Sequence, residues 1–309
     1  MKADIFKIFW KQRRLQLFVL MGMAFLFVFN YLPIFGIIMA FKNYKLSSGV
    51  LGIFTSPFVG LKNFKEFFGD YKFPFLLRNT LVLSVAKLVF TFPLPIFLAI
   101  VLNEVRNAKV KRVVQTVSYL PYFISWVIVS GFCQIFLSMN GVFNDLFAAM
   151  GWQRMQLLTG SQFFRIIAVF TAMWKETGWW TIIFLAAITG IDTSQYESAQ
   201  IDGATRLQRI AYITMPGILP TITVVLILAL GNLIGGGLSG SNFEQSYLLG
   251  NTGNLDVSEI IQTYVLEIGL SQGRYAYATA AGLFQSIISF TLVLVSNFVA
   301  KRISGEGLF

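Results

Sequence analysis

The sequence predicts an all-α membrane protein with about six transmembrane helices and both termini in the cytoplasm. Three observations carry that prediction. The 309 residues are 56% hydrophobic and only 12% charged, about half the charge of a typical soluble domain. Apolar runs recur at residues 15–41, 79–102, 114–138, 164–190, 213–236 and 275–300, each long enough to cross a bilayer as a helix. Finally, Lys and Arg number 5 in residues 1–14, 4 in 103–113, 2 in 191–212 and 2 in 301–309, against 1 in 139–163 and 0 in 237–272. Positive charge favours the cytoplasmic side, which places both termini there. The 42–78 loop holds 6 basic residues and argues the other way, although long loops weigh less in this rule.

Each element follows from local chemistry. The basic segment 1–14 precedes the first span, whose Pro33 predicts a kink or an early helix end. That span is longer than a signal-peptide core and lacks a small-residue cleavage site, so it reads as retained. Within the mixed region 42–78, residues 59–70 form a candidate amphipathic helix through Leu61, Phe64, Phe67 and Phe68. Its aromatic residues are equally suited to the lipid interface. The second span carries Lys87, with Pro93 and Pro95 near its far end, and the third has Pro121 in its first third. Gly141, Asn144, Asp145 and Gly151 supply turns in 139–163. Trp174, Lys175, Glu176, Trp179 and Trp180 lie on the fourth span. After the fifth, glycines and serines break the pattern from Gly235 to Ser241. A further helix is expected at 257–269, outside the bilayer, before the sixth span ends at Lys301 and Arg302. No repeat or linker divides the chain, so residues 15–309 read as one membrane domain.

Composition excludes several functions. The basic residues sit between apolar runs rather than on one patch, which argues against nucleic acid. The one cysteine, Cys133, lies in an apolar run, and there is no histidine. The commonest general base and metal ligand is therefore missing. No phosphate-binding GxxxxGK[ST] loop occurs. If ATP drives this protein, another subunit binds it.

Residues 196–220 read YESAQIDGATRLQRIAYITMPGILP and form the longest polar interruption in the apolar second half. Glu197, Asp202, Arg206 and Arg209 concentrate charge there, while Ser198, Ala199, Gly203 and Ala204 keep a low profile that suits a docking partner. Leu207 and Ile210 continue an apolar stripe toward Ile213, and Pro216 falls near the start of the next apolar run. The order Glu197, Ser198, Ala199, three residues, Gly203, then Ile213 to Pro216 resembles the EAA loop of binding-protein-dependent ABC import permeases. It departs from that pattern at Ser198 and Met215. Residues 30–45, 119–144 and 174–192 extend the likeness to essentially the whole chain, in the polysaccharide-importing LplB-like branch that includes permeases of alginate importers. The segment 58–64 is similar to an outer-loop segment of sugar permeases that faces the binding protein.

The resemblance implies the type I ABC importer permease fold and a cytoplasmic coupling helix built from Glu197, Ser198, Ala199, Asp202, Gly203, Ala204 and Arg206. It also implies a second, homologous permease forming a heterodimer, two ATPase subunits carrying ATP and Mg, and an extracytoplasmic solute-binding protein. No cofactor is expected on this chain. Polar groups are costly in hydrocarbon, and aromatic faces stack on sugars. Candidates for the translocation path are therefore Lys87, Tyr119, Tyr122, Trp126, Trp174, Lys175, Asn232 and Gln285. Lys87, Arg165, Lys175 and Arg274, weighed against Glu176, suggest a positive vestibule suited to an anionic sugar such as a uronate oligomer. The competing readings are an ion-coupled secondary transporter and a membrane-embedded enzyme. Glu176 as the lone acidic residue within the spans disfavours the former, and scattered acidic residues disfavour the latter.

Overall fold

The computed structural model describes residues 12–304 and 307. Most of the N-terminal basic segment, including Lys2, Lys7 and Lys11, lies outside the described residues. No strand forms among the described residues, where a single antiparallel bridge pairs Lys42 with Phe58. Among the described residues, five stretches are long and apolar enough to cross a membrane: Arg13–Phe41, Phe73–Glu104, Trp126–Ala149, Arg206–Gly231 and Tyr275–Arg302. The helix Ser161–Thr189 is as long, with 29 residues, and carries Arg165, Lys175 and Glu176.

The chain folds as two units, one of residues 1–70 and 265–283, the other of 71–264 and 284–309. The first unit contains α1 (Arg13–Phe41) and α2 (Lys62–Phe68). Pro33 does not end α1. A π-helical turn at Phe27–Tyr31 precedes it and a 3₁₀ stretch at Phe35–Phe41 follows, so the ladder adjusts around the missing N–H. The expected amphipathic helix is α2, with Phe67 fully buried. Asn63 pins it by donating to the carbonyls of Ala40 and Lys42 at 2.9 and 3.1 Å.

The second unit is organised on α7 (Ser161–Thr189), which packs against α3 (Phe73–Glu104), α4 (Ala108–Tyr119) and α9 (Arg206–Gly231). Phe184, Leu185 and Ile188 of α7 meet Ala99 of α3 and Ile218, Val225 and Ala229 of α9 in one apolar core. α4 and α7 approach closely at Gly178, where a Cβ would stand 2.1 Å from the Ser118 carbonyl oxygen. The expected third span, 114–138, is not one helix. Pro121 lies in a 3₁₀ turn at Leu120–Phe123, the chain is extended at Ile124 and Ser125, and Ser125 caps the new helix α5 (Trp126–Leu137). A proline removes one helical donor and clashes with the turn before it, which explains the break. The helix α6 (Val142–Ala149) follows after a turn.

The region 237–272 also departs from an outer loop. Its helix α10 (Asn242–Leu249) folds back among the spans. Asn242 donates to Ser84 Oγ of α3 at 2.8 Å, and Gln245 donates to the Ala168 carbonyl and Thr171 Oγ1 of α7 at 2.9 and 2.8 Å. The helix expected at 257–269 is divided, with a break at Glu259 and Ile260, into Leu255–Ser258, then Ile261–Leu266 continuing as a π-helical turn. The remaining helices are α8 (Thr193–Ile201) and α11 (Tyr275–Ser304).

Candidate functional site

Two regions carry the residues singled out from sequence. The first joins α7 to α9. Asp192 caps α8 by accepting from the Ser194 N–H at 2.9 Å, and that hydrogen bond holds its carboxylate below the usual range. Glu197 and Ser198 project from α8 into solvent, and Ala199 is half-buried. The helix ends through N–H bonds from Asp202 to Ser198 O at 3.0 Å and from Ala204 to Ala199 O at 2.8 Å. This closure requires Gly203 at φ +75°, where no neighbour lies within 4 Å of a Cβ position. The glycine thus serves backbone conformation as well as a low profile. Thr205 and Gln208 then form a capping box, and exposed Arg206 opens α9. A π-helical turn at Ile210–Thr214 takes the chain to Pro216, and Tyr196 Oη meets Thr214 Oγ1 at 2.9 Å.

The second region is the polar interior of the second unit. Lys87 of α3 is fully buried and donates to Ser241 Oγ at 3.1 Å. Its charge is felt by Glu176 and Glu244, and Lys175 interacts with the same two carboxylates. Lys87, Lys175 and Glu176 are buried and Glu244 is half-buried, so two basic and two acidic residues share this neighbourhood. Lys175 also donates to the Tyr122 carbonyl at 2.5 Å and lies 5.0 and 5.6 Å from the ring centres of Tyr122 and Trp126. Tyr122 stacks on Trp179 at 4.6 Å with the planes 7° apart.

Lys87, Lys175, Tyr122 and Trp126 thus belong to one neighbourhood, joined by Glu244 and Trp179. Tyr119 contacts Phe123 edge-on at 6.1 Å. Trp174 instead lines an apolar groove with Phe132, Phe136 and Phe170. Asn232 closes the turn after α9 by donating to the Gly237 carbonyl at 3.0 Å, and Gln285 is half-buried on α11. Sequence reasoning missed Ser241, Asn242, Glu244 and Gln245. Their available signal was a polar run free of Lys and Arg directly after the glycines that end the fifth span.

Comparison with known proteins bears on both regions. The family model of the binding-protein-dependent transport system inner membrane component matches residues 91–305. Protein LplB of Bacillus subtilis (strain 168) is 43% identical over 300 residues, covering 97% of this chain and 92% of the relative. The polygalacturonan/rhamnogalacturonan transport system permease protein YteP of the same organism is 42% identical, covering 97% and 91%. A chain from the crystal structure of a bacterial ABC transporter involved in the import of the acidic polysaccharide alginate is 38% identical. It superposes with a TM-score of 0.86 over 97% of this chain and 99% of its own. A chain of the alginate transporter in complex with alginate pentasaccharide-bound periplasmic protein gives the same TM-score over 98% and 99%. The helical architecture and the match over most of the chain show that this multi-pass inner-membrane protein, a transport subunit rather than an enzyme, belongs to the family of binding-protein-dependent transport system inner membrane components.

Proposed function

We propose that this chain is one permease half of an ATP-driven importer that moves acidic oligosaccharides or polysaccharide fragments from a solute-binding protein into the cytoplasm. The observation that carries the cargo class is whole-chain similarity to a permease named for polygalacturonan and to a chain of an importer of an acidic polysaccharide. A second, homologous permease completes a heterodimer, and two ATPase subunits supply ATP hydrolysis with Mg.

The region at α8 supports the coupling role. Glu197, Ser198, Asp202, Gly203 and Arg206 are exposed, as are the apolar Ile201, Leu207 and Tyr212 at 87%, 78% and 78%. Apolar side chains gathered beside exposed charges suit a protein partner. Glu197, Ser198, Ala199, Asp202, Gly203, Ala204 and Arg206 are assigned to the contact with the ATPase. Lys87, Tyr119, Tyr122, Trp126, Trp174, Lys175, Asn232 and Gln285 are assigned to the translocation path. Intramembrane ionisable groups are rare outside such pathways, and aromatic rings suit sugar faces. Lys87, Lys175, Glu176 and Glu244 give this part of the path two basic and two acidic residues.

The test is uptake into vesicles holding this chain, its partner permease and the ATPase, with cargo-loaded binding protein outside. Oligogalacturonate or alginate oligomers should enter only with internal ATP and binding protein. Entry of neutral oligomers alone would overturn the acidic assignment, and entry without ATP would overturn the importer.

A further inference from the structure

The 42–78 loop sets six basic residues on the side of the membrane where the positive-inside tendency disfavours them. The structure accounts for part of this excess. In the first unit, Lys45, Lys62 and Arg274 line a polar cavity of about 250 Å³ together with Tyr44, Asn63 and Glu66. Three cations there meet one carboxylate. Glu66 is already engaged by the Arg274 guanidinium, and among the described residues neither Lys45 nor Lys62 is ion-paired. Lys42 is otherwise occupied, donating to the Phe54 carbonyl.

The frame around these cations is fixed. Arg274 stacks over the Tyr277 ring at 4.3 Å, and Tyr277 Oη donates to Asp70 Oδ2 at 2.7 Å. Tyr44 meets Tyr275 edge-on at 6.3 Å. A guanidinium held by stacking and by one carboxylate keeps further N–H groups for a second anion. At 250 Å³ the cavity is below the roughly 300–1,000 Å³ of drug-sized ligand sites. It takes one residue or one end of a chain rather than a whole oligomer.

We infer that this cavity is an anion site on the outer face, in which Lys45, Lys62 and Arg274 bind a carboxylate of the incoming acidic saccharide. This rests on the acidic-saccharide reading above and deepens it. It places charge discrimination in a cluster whose two lysines have no ion-pair partner among the described residues.

The experiment uses the full transporter in vesicles at saturating cargo-loaded binding protein. Two cargoes of equal length are compared, a uronate oligosaccharide and its carboxyl-reduced neutral counterpart. Lys45→Gln/Lys62→Gln should cut the initial uptake of the acidic cargo about tenfold, the size of one charge-assisted hydrogen bond. Neutral uptake should be unchanged, and so should both uptakes in Lys65→Gln, which lies on α2 outside the cavity lining. Arg274→Lys should reproduce the selective loss in part. Equal loss of both cargoes, or no loss of either, would overturn the site while leaving acidic transport by the wild type intact. Weakened affinity of the transporter for its binding protein, with cargo discrimination retained, would overturn it in favour of a protein-docking socket. A wild type that imports neither cargo would overturn the acidic-saccharide reading as well.

Discussion

Lys87 and Ser241, 154 residues apart, meet through a 3.1 Å hydrogen bond in the interior of the protein. The ammonium has no exposure, and the carboxylates of Glu176 and Glu244 act on it. A cation at the centre of a membrane helix costs about 2.5–3.5 kcal/mol on insertion scales, so its retention depends on these partners. Lys87→Met should lower the stability of the purified transporter by about 1–3 kcal/mol, because it removes a buried charge-assisted hydrogen bond to Ser241. The measurement is thermal unfolding in detergent. Adding Glu176→Gln should recover part of the loss, since the Glu176 carboxylate acts coulombically on Lys87, and a wild-type melting curve for Lys87→Met would contradict a structural role for this contact.

The outline of this fold is legible in sequence because bilayer thickness forces long apolar runs, and five of the expected spans appear as continuous helices with shifted ends. What escapes is what depends on distant partners. Residues 114–138 look uniformly apolar, yet Pro121 and the Ser125 cap divide them. Asn242, Glu244 and Gln245 look like solvent-facing loop residues. The placement of Asn242 and Gln245 depends on Ser84, Ala168 and Thr171, which no local pattern reveals. With Glu244 counted beside Glu176, the four basic residues Lys87, Arg165, Lys175 and Arg274 still outnumber the acidic ones, by two rather than three. The stretch at residues 196–220 was legible because its chemistry is local: concentrated charge, small residues and a glycine at fixed spacing. Even there, the positive φ at Gly203 is visible only in the backbone.

Gly178 gives a packing test. A Cβ at this position would lie 2.1 Å from the Ser118 carbonyl oxygen and 2.4 Å from the Tyr119 nitrogen. Both are backbone atoms and cannot rotate away. Gly178→Ala should therefore force α4 from α7 and destabilise the protein by about 1–3 kcal/mol or more. Thermal unfolding reports this directly, and a neutral substitution would mean the two helices are not in such close contact.

Asp192 gives a pH test outside the membrane. Its carboxylate is held below the usual range by the Ser194 N–H. A depressed folded-state pKa means the cap is fully present above the unfolded value and is lost as pH falls through the folded one. Coupling of transport to ATP hydrolysis should thus be independent of pH near neutrality and weaken only in acid. Asp192→Asn, an equally good cap, should flatten that acid limb of substrate-stimulated hydrolysis, while Asp192→Ala should lower coupling at every pH. Identical profiles for all three proteins would exclude a role for the cap.

Gly203 separates backbone conformation from surface shape in the proposed ATPase contact. Its φ of +75° costs a residue with a Cβ about 1–2 kcal/mol, yet nothing lies within 4 Å to clash with one in this chain. Asn tolerates left-handed backbone better than other residues with side chains. If only backbone conformation matters, Gly203→Asn should retain most substrate-stimulated ATP hydrolysis and Gly203→Val should lose it. If a partner surface closes over this turn, as proposed, both substitutions should uncouple hydrolysis from transport, because even Asn adds bulk where Ser198, Ala199 and Ala204 keep the profile low. Glu197→Lys should add to the loss by reversing the charge presented beside it. The assay is ATP hydrolysis with and without cargo-loaded binding protein, alongside recovery of the ATPase on purification. Full coupling in Gly203→Asn and Glu197→Lys together would remove this stretch from the interface.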